Sequence, residues 1–172
     1  ALTKALLEEG FDVLVVERDG RMVDSLKDFP VKIVNGDILD FPLEKAAAKG
    51  YVHLIGNLPY HITGMIFRRI FEAARFLDSG VFMIQEEVAD RLVSSGGSER
   101  SILTLAAELQ CSSREKVFTV PPSAFRPRPR VRSGVVRLVF RKTPLLDAEE
   151  ELRFFAVLKT GFSQKRKTLH NA

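Results

Sequence analysis

The sequence lacks the marks of a secreted or membrane-embedded protein. Its only cysteine is Cys111, so no disulfide can form within the chain, and we expect a reducing, cytoplasmic setting. No apolar run approaches the roughly 20 residues that span a bilayer, and no signal-peptide pattern opens the chain. No initiator methionine precedes Ala1, so we expect the sequence to begin inside a longer protein.

Acidic side chains are scarce in the last third of the chain. Of the 172 residues, 45% are hydrophobic and 28% are charged, which is typical of a folded globular protein. Residues 1–112 carry 12 Lys and Arg against 17 Asp and Glu, a balance of −5. Residues 113–172 carry 14 against 5, a balance of +9. A basic third suggests a surface that faces a polyanion, although a solvated basic face without a partner has the same pattern.

Strand and helix patterns alternate along residues 1–90. Apolar runs predict buried strands at residues 12–17, 31–34, 51–55 and 80–84. Helices are predicted before and between these strands, at residues 2–9, 19–28, 43–48 and 63–76. This alternation predicts an α/β fold with a parallel sheet that is covered by helices on both faces.

The rest of the chain follows a different pattern. Helices are predicted at residues 86–93 and 100–110, and strands at residues 117–120 and 135–140 predict an antiparallel hairpin at the sheet edge. The prolines of the connection between these strands exclude a regular element, because proline lacks an N–H donor and fixes φ. Helical periodicity returns at residue 147. We therefore expect one domain over residues 1–143 and the start of a small helical domain over residues 144–172.

Three of the predicted strands end in polar groups, and ligands of open parallel sheets bind beyond these carboxyl ends. The first strand ends at Glu17, whose carboxylate can accept hydrogen bonds from both ribose hydroxyls of a nucleoside cofactor. The second is followed by Gly36 and Asp37, where the carboxylate can accept from an adenine amino group. Either acid alone is often a helix cap or a turn residue. Their succession, with a third polar strand end, favours a binding site.

The third strand ends in Asn57-Leu58-Pro59-Tyr60, which suits chemistry on an adenine. The exocyclic N6 of adenine is a poor nucleophile because its lone pair is delocalised into the ring. The Asn57 side-chain oxygen and the Leu58 carbonyl can accept its two hydrogens, which favours a tetrahedral nitrogen with an available lone pair. Pro59 would fix that carbonyl, and Tyr60 would stack on a flipped base. The plainer alternative is a strand followed by a proline loop with a buried tyrosine.

The segments around these strand ends resemble the ribosomal RNA adenine dimethyltransferase family. Residues 56–60 are similar to its amino-methyltransferase motif, residues 16–19 to its ribose-binding strand end, and residues 36–37 to its adenine-binding turn. Further similarity lies in residues 85–92, 120–133 and 162–169, the last resembling its helical carboxyl-terminal domain. The family's Gly-rich cofactor loop and first strand would precede Ala1, and we expect this chain to lack them.

The resemblance implies a Rossmann-like class I methyltransferase that uses S-adenosylmethionine, holds no metal and acts as a monomer. The implied substrate is small-subunit ribosomal RNA in a 30S-type pre-ribosomal particle, where two adjacent adenines become N6,N6-dimethyladenine. The implied cofactor-binding residues are Glu17, Asp37, Ile38 and Asn57. The implied catalytic residues are Asn57, Leu58, Pro59, Tyr60 and Phe125. Phe125 would face Tyr60 across the flipped base, the alternative being that it only plugs the proline-rich loop.

Arginines occupy every second position at the end of the proline-rich connection, and three more basic residues follow near the end of the chain. A guanidinium makes paired hydrogen bonds to phosphate, so these side chains are suited to RNA. The predicted RNA-binding residues are Arg126, Arg128, Arg130, Arg132, Lys165, Arg166 and Lys167. Alternate arginines that merely solvate an extended loop remain the other interpretation.

Three other functions stay open at this point. The first is the related antibiotic-resistance type of methyltransferase, which modifies a single adenine of large-subunit RNA. The second is a non-catalytic RNA-binding assembly factor with the same fold, against which the intact Asn57-Leu58-Pro59-Tyr60 argues. The third is DNA adenine methylation, which has the least support.

Overall fold

The first part of the fold is a small parallel β–α unit. The computed structural model describes residues 2–95 and 101–162, and the chain divides into two compact units between Val52 and His53. The elements of the first unit are α1 (Leu2–Glu8), β1 (Leu14–Glu17), α2 (Gly20–Asp24), β2 (Lys32–Asn35) and α3 (Leu43–Ala47). β1 and β2 pair in parallel, with Glu17 opposite Asn35 at their carboxyl ends. The two acidic segments that were predicted to bind a cofactor therefore follow neighbouring strands.

The second unit contains a four-stranded mixed sheet with helices. Its elements are β3 (His53–Asn57), α4 (Thr63–Glu72), β4 (Ser79–Gln85), α5 (Glu86–Val93), α6 (Ile102–Gln110), β5 (Cys111–Val120), β6 (Ser133–Phe140) and α7 (Ala148–Phe162). The strand order is β3-β4-β6-β5. β3 is parallel to β4, whereas β6 is antiparallel to both of its neighbours. The predicted hairpin at the sheet edge is confirmed, with β5 as the edge strand.

Aromatic side chains fill the core of the second unit between α4 and the sheet. Phe67 of α4 is fully buried and meets Phe82 of β4 edge-on, with ring centroids 5.2 Å apart. Phe71, one turn later on α4, stacks on Phe67 at 5.8 Å. Such pairs add to the free energy gained from burying apolar area. This packing holds α4, and with it the loop before α4, against β4.

A glycine lets α5 lie close to the start of β6. A Cβ atom on Gly134 would lie 2.6 Å from Cβ of Ala89, which is too close for any side chain at that position. Glycine is needed there for its lack of a side chain rather than for its backbone freedom. The close approach places the amino end of α5 beside the residues that follow the proline-rich connection.

Several element bounds differ from the sequence predictions. α2 ends at Asp24 instead of residue 28, and turns follow it to Phe29. α4 ends at Glu72, after which residues 74–76 form a separate 3-10 turn. β5 begins at Cys111 rather than at residue 117. Residues 112–116 are polar and have no local strand pattern, but pairing with β6 supplies the hydrogen bonds that make them part of the strand. The proline-rich connection also contains one 3-10 turn at Pro122–Ala124.

Two other expectations concern the chain as a whole. α7 confirms the predicted helix after residue 147, whereas the domain boundary at residue 143 stays a prediction. Within residues 2–95 and 101–162, no helix has the length and apolar character that a membrane crossing requires.

The burial of Cys111 leads to a prediction about its reactivity. Burial at the start of β5 raises the pKa of the Cys111 thiol to about 12. At pH 8 its thiolate fraction is then roughly a thousandfold below that of an exposed cysteine. We expect Ellman's reagent to react with this thiol very slowly in the folded protein and rapidly in urea. The Cys111→Ser variant supplies the background rate. Fast reaction of the folded protein would contradict the buried position.

Candidate active site

The loop after β3 is held by hydrogen bonds on both sides. Asn57, the last residue of β3, lies opposite Met83 of β4, and the Leu58 amide donates to the Met83 carbonyl at 3.0 Å. On the other side, the Pro59 carbonyl accepts from the Thr63 hydroxyl at 2.9 Å, at the start of α4. The Asn57–Pro59 backbone is therefore fixed between a strand and a helix.

Two acceptors in this loop have no donor within the described part of the chain. The Asn57 side chain is exposed and makes no hydrogen bond there, and the Leu58 carbonyl oxygen accepts none. The Leu58 side chain turns back onto Gly56, where an added Cβ would lie 2.9 Å from Leu58 Cδ2. Glycine before Asn57 thus leaves room for this position of the Leu58 side chain. The sequence prediction of two adjacent, unengaged acceptors fits this geometry.

Tyr60 begins a short 3-10 turn and is anchored at its far end. Its ring is partly buried, and its hydroxyl lies 2.6 Å from Oγ of Ser133, the first residue of β6. Ser133 is fully buried. No role was predicted for Ser133 from the sequence, although it ends the segment, residues 120–133, that resembles the family. This contact joins the Tyr60 loop to the end of the proline-rich connection between β5 and β6. We call this connection, residues 121–132, the basic connection because of its four arginines.

Phe125 lies within that connection, after its 3-10 turn. Its backbone is extended, its amide donates to the Pro122 carbonyl at 3.3 Å, and its side chain is half-buried. Among the described aromatic rings, those of Tyr60 and Phe125 do not contact each other. The predicted stacking of a base between them stays a prediction.

The four arginines of the connection divide into two kinds. All are exposed, and within the described residues no acidic side chain pairs with Arg126, Arg128 or Arg130. Arg132 differs, because its Nε lies 3.3 Å from Glu86 Oε2 and its carbonyl accepts from the Glu86 amide at 3.0 Å. Three of the arginines thus have no acidic partner among the described residues, whereas Arg132 is paired with Glu86. Lys165, Arg166 and Lys167 lie outside the described residues.

Glu86, at the start of α5, links the two ends of the basic connection. Its Oε1 accepts from the Thr119 hydroxyl at 3.0 Å, before the connection, while Oε2 meets Arg132 after it. Lys116 lies 3.7 Å from the same carboxylate, and a hydrogen bond to Asp90 raises the pKa of this lysine. No role was predicted for Glu86 from the sequence. Its place within residues 85–92, which resemble the family, is the sequence feature that could have identified it.

The predicted cofactor acids lie in the first unit. Glu17 is half-buried at the end of β1, and its Oε1 accepts from the Asp19 amide at 2.9 Å. Asp37 follows β2; its Oδ1 accepts from the Leu39 amide at 3.0 Å and its Oδ2 from Arg18 at 3.2 Å. The Arg18–Asp37 contact was not predicted, because 19 residues separate the two side chains in sequence.

Asp19 and Asn35 lie beside these two strand ends. Hydrogen bonds from Arg21 lower the pKa of the Asp19 carboxyl, which caps α2. The Asn35 side-chain amide donates to the Glu17 carbonyl at 2.9 Å, which ties the ends of β1 and β2 together. Ile38, half-buried, follows directly after Asp37. One Glu17 carboxylate oxygen remains without a partner among the described residues.

Comparison with known proteins bears on the identity of the fold. The solved structures similar to this chain include the following two. A dimethyladenosine transferase from Plasmodium falciparum matches with a TM-score of 0.72 and 28% identity, over 92% of this chain and 58% of that one. The 23S rRNA methyltransferase ErmE matches with a TM-score of 0.71 and 26% identity, over 94% of this chain and 66% of that one. These similarities confirm the predicted α/β fold of the Rossmann-like methyltransferase class.

Sequence comparison covers the whole chain. A family model described as "Ribosomal RNA adenine dimethylase" matches residues 1–172. A protein of Desulfitobacterium hafniense named ribosomal RNA small subunit methyltransferase A is 42% identical over 176 residues, 99% of this chain and 63% of that protein. This chain thus spans less than two thirds of the length of that relative. By both measures, it belongs to the ribosomal RNA adenine dimethylase family.

Proposed function

We propose that the protein transfers methyl groups from S-adenosylmethionine to N6 of two adjacent adenines in small-subunit ribosomal RNA, giving N6,N6-dimethyladenine. The observation that carries this proposal is the pair of unengaged acceptors on a fixed loop, the Asn57 side-chain oxygen and the Leu58 carbonyl. Such a pair can accept both hydrogens of the N6 amino group. The name of the Desulfitobacterium relative supports the choice of small-subunit RNA.

The two acceptors act on the electronic state of N6. Hydrogen bonds from the amino group to Asn57 and Leu58 localise its lone pair, so that the nitrogen can attack a methyl group. The positive charge that develops on N6 is stabilised by the same two dipoles, and the Leu58 carbonyl needs no reorganisation because its backbone is already held. The proton leaves readily once N6 is cationic. No general base has to be placed beside it.

Aromatic side chains hold the base in our proposal. An adenine must leave its stack before N6 can enter such a site, and stacking on an aromatic ring offsets part of that free energy. Tyr60 lies directly after the two acceptors and presents a partly buried ring. We assign Phe125 to the opposite face of the base.

S-adenosylmethionine would supply an electrophilic methyl group on sulfur. Glu17 would accept from the ribose hydroxyls through the carboxylate oxygen that its neighbours leave open. Asp37 would accept from the adenine amino group, and Ile38 would cover the adenine ring with apolar surface. Asn57 would serve both the cofactor and the substrate from the end of β3.

The fold and the named relative give different support to the alternative substrates. ErmE matches the fold nearly as well as the dimethyladenosine transferase, so the fold does not separate large-subunit from small-subunit substrates. The relative at 42% identity favours the small subunit. Radiolabelled methyl transfer by the full-length protein to undermethylated small subunits, large subunits and DNA distinguishes these substrates. Absence of transfer to all three would favour a non-catalytic RNA-binding factor.

Removing one acceptor tests the catalytic assignment. Asn57→Ala in the full-length protein should lower kcat for methyl transfer by roughly 100- to 1000-fold, about 3–4 kcal/mol, as for loss of one oxyanion donor. His53→Ala, at the opposite end of β3, is the matched control and should retain activity. Transfer by Asn57→Ala within a few-fold of the parent would rule out the assigned role.

Removing one carboxylate tests the cofactor assignment. Glu17→Ala should weaken S-adenosylmethionine binding by about tenfold or more, because hydrogen bonds to a charged acceptor are the stronger kind. Affinity for RNA should stay nearly unchanged. Glu8→Ala, an exposed glutamate of α1, is the control. Isothermal titration calorimetry measures the effect, and equal cofactor affinity in Glu17→Ala would contradict the assignment.

The unpaired arginines predict the salt dependence of RNA binding. Replacing Arg126, Arg128 and Arg130 together with Gln should weaken binding to all RNA sequences alike. Each lost phosphate contact should reduce the slope of log affinity against log salt by about 0.7–0.9. A control variant with Lys4, Arg21 and Lys27 changed to Gln removes the same charge from the first unit. Anisotropy titrations over a range of salt measure both, and identical slopes in parent and Arg variant would show that these arginines only face solvent.

A further inference from the structure

The hydrogen bond between Tyr60 and Ser133 joins two segments 73 residues apart. The Tyr60 hydroxyl and Ser133 Oγ are 2.6 Å apart, and Ser133 is fully buried while Tyr60 is half-buried. Within the described residues, the Tyr60 hydroxyl has no other partner. The bond therefore acts on the end of the ring that is farthest from the backbone.

Ser133 is held in place by its neighbours from three sides. In the sheet it lies between Gln85 at the end of β4 and Val120 at the end of β5. The preceding residue, Arg132, is bonded to Glu86 through both its carbonyl and its side chain. The following residue, Gly134, packs directly against Ala89 of α5. The Ser133 backbone is thus held in the sheet, and its hydroxyl is buried there.

Tyr60, by contrast, lies on a three-residue turn after a proline. Its side chain has two rotatable torsions, and a tyrosine ring on a loop can adopt several rotamers. A hydrogen bond at the hydroxyl fixes the far end of the ring axis and thereby restrains the first torsion. Rotation of the ring about this axis leaves the oxygen in place, but a phenolic O–H and its acceptor lone pairs lie near the ring plane, so the direction from the hydroxyl to Ser133 Oγ favours one ring plane. Among the described hydrogen bonds of Tyr60, this is the one that its side chain makes.

We propose that Ser133 is a positioning residue that orients the Tyr60 ring for stacking on the target adenine. It does not touch the substrate; it acts through Tyr60. The proposal rests on the proposed methyl transfer, because a stacking platform matters only if a base enters the site. Once the ring plane is set, the stacked base lies in the plane that brings N6 to Asn57 and Leu58.

A purely structural role for Ser133 leads to a different expectation. A buried hydroxyl needs a partner, and deleting it lowers stability wherever it lies. Thr104 of α6 offers a matched control. It is also fully buried, and its hydroxyl donates to the Arg91 carbonyl at 3.0 Å, with no link to Tyr60. Thr104→Val removes this hydroxyl with little change of shape.

The experiment compares variants of the full-length protein in methyl transfer to undermethylated small subunits, with unfolding measured in parallel. Ser133→Ala should lower kcat/KM about three- to tenfold, the effect of one neutral hydrogen bond. Affinity for S-adenosylmethionine should not change. Ser133→Thr, which keeps the hydroxyl, should restore most of the activity. Thr104→Val should lose stability comparably but keep the activity of the parent.

A double-mutant cycle with Tyr60→Phe provides the second measurement. This variant keeps the ring and removes its hydroxyl, so it should lower kcat/KM to the same degree as Ser133→Ala. The double variant should be no worse than either single one, because both remove the same bond. It also keeps the test open if Ser133→Ala fails to fold, since Tyr60→Phe alone must then show the loss.

The possible outcomes separate the two proposals. An active parent with folded Ser133→Ala or Tyr60→Phe at parental kcat/KM would overturn the positioning role and leave the methyl transfer intact. Additive losses in the double variant would overturn it as well. A parent that transfers no methyl group to any of the three substrates would instead overturn the proposed function, and the positioning role with it.

Discussion

The hydrogen bond from the Leu58 amide to the Met83 carbonyl is the contact on which the candidate site depends. β3 and β4 pair in parallel up to Asn57 opposite Met83, and this bond continues their ladder by one residue beyond the strand. After Pro59 the chain leaves the sheet in the 3-10 turn Tyr60–Ile62, so the ladder ends there. The Leu58 carbonyl therefore belongs to a backbone that the sheet still holds, at a point where the sheet no longer supplies donors.

The basic connection is also held by polar contacts on both sides, over a longer stretch of chain. Its ends are fixed by Glu86, through Thr119 before it and Arg132 after it. The ion pair itself contributes little, because the Arg132 side chain is 60% exposed. The backbone bond from Glu86 to Arg132 and the close packing of Gly134 on Ala89 carry more of the constraint. Between these fixed ends, Arg126, Arg128 and Arg130 have no acidic partner in the part of the chain that the structure describes.

Local sequence patterns predicted the strands and the polar residues at the ends of three of them, but not all of the strand bounds. The third strand was predicted at residues 51–55, whereas the structure has β3 two residues later, at His53–Asn57. The edge hairpin also followed from its apolar residues and prolines. The early start of β5 did not, because residues 112–116 are polar and become a strand only by pairing with β6. Partners distant in sequence, such as Ser133 for Tyr60, have no local signature either.

The acceptors assigned to ligands differ in how far the chain already engages them. Asn57 has no partner among the described residues, Glu17 has one carboxylate oxygen engaged, and Asp37 has both engaged, one of them with Arg18. An adenine amino group that bonded Asp37 Oδ2 would have to displace or share with Arg18. That exchange has a small free-energy penalty, because the Arg18 side chain is 80% exposed and such surface ion pairs are weak. Among the described residues, Glu17 and Asn57 therefore keep more acceptor capacity for an external donor than Asp37 does.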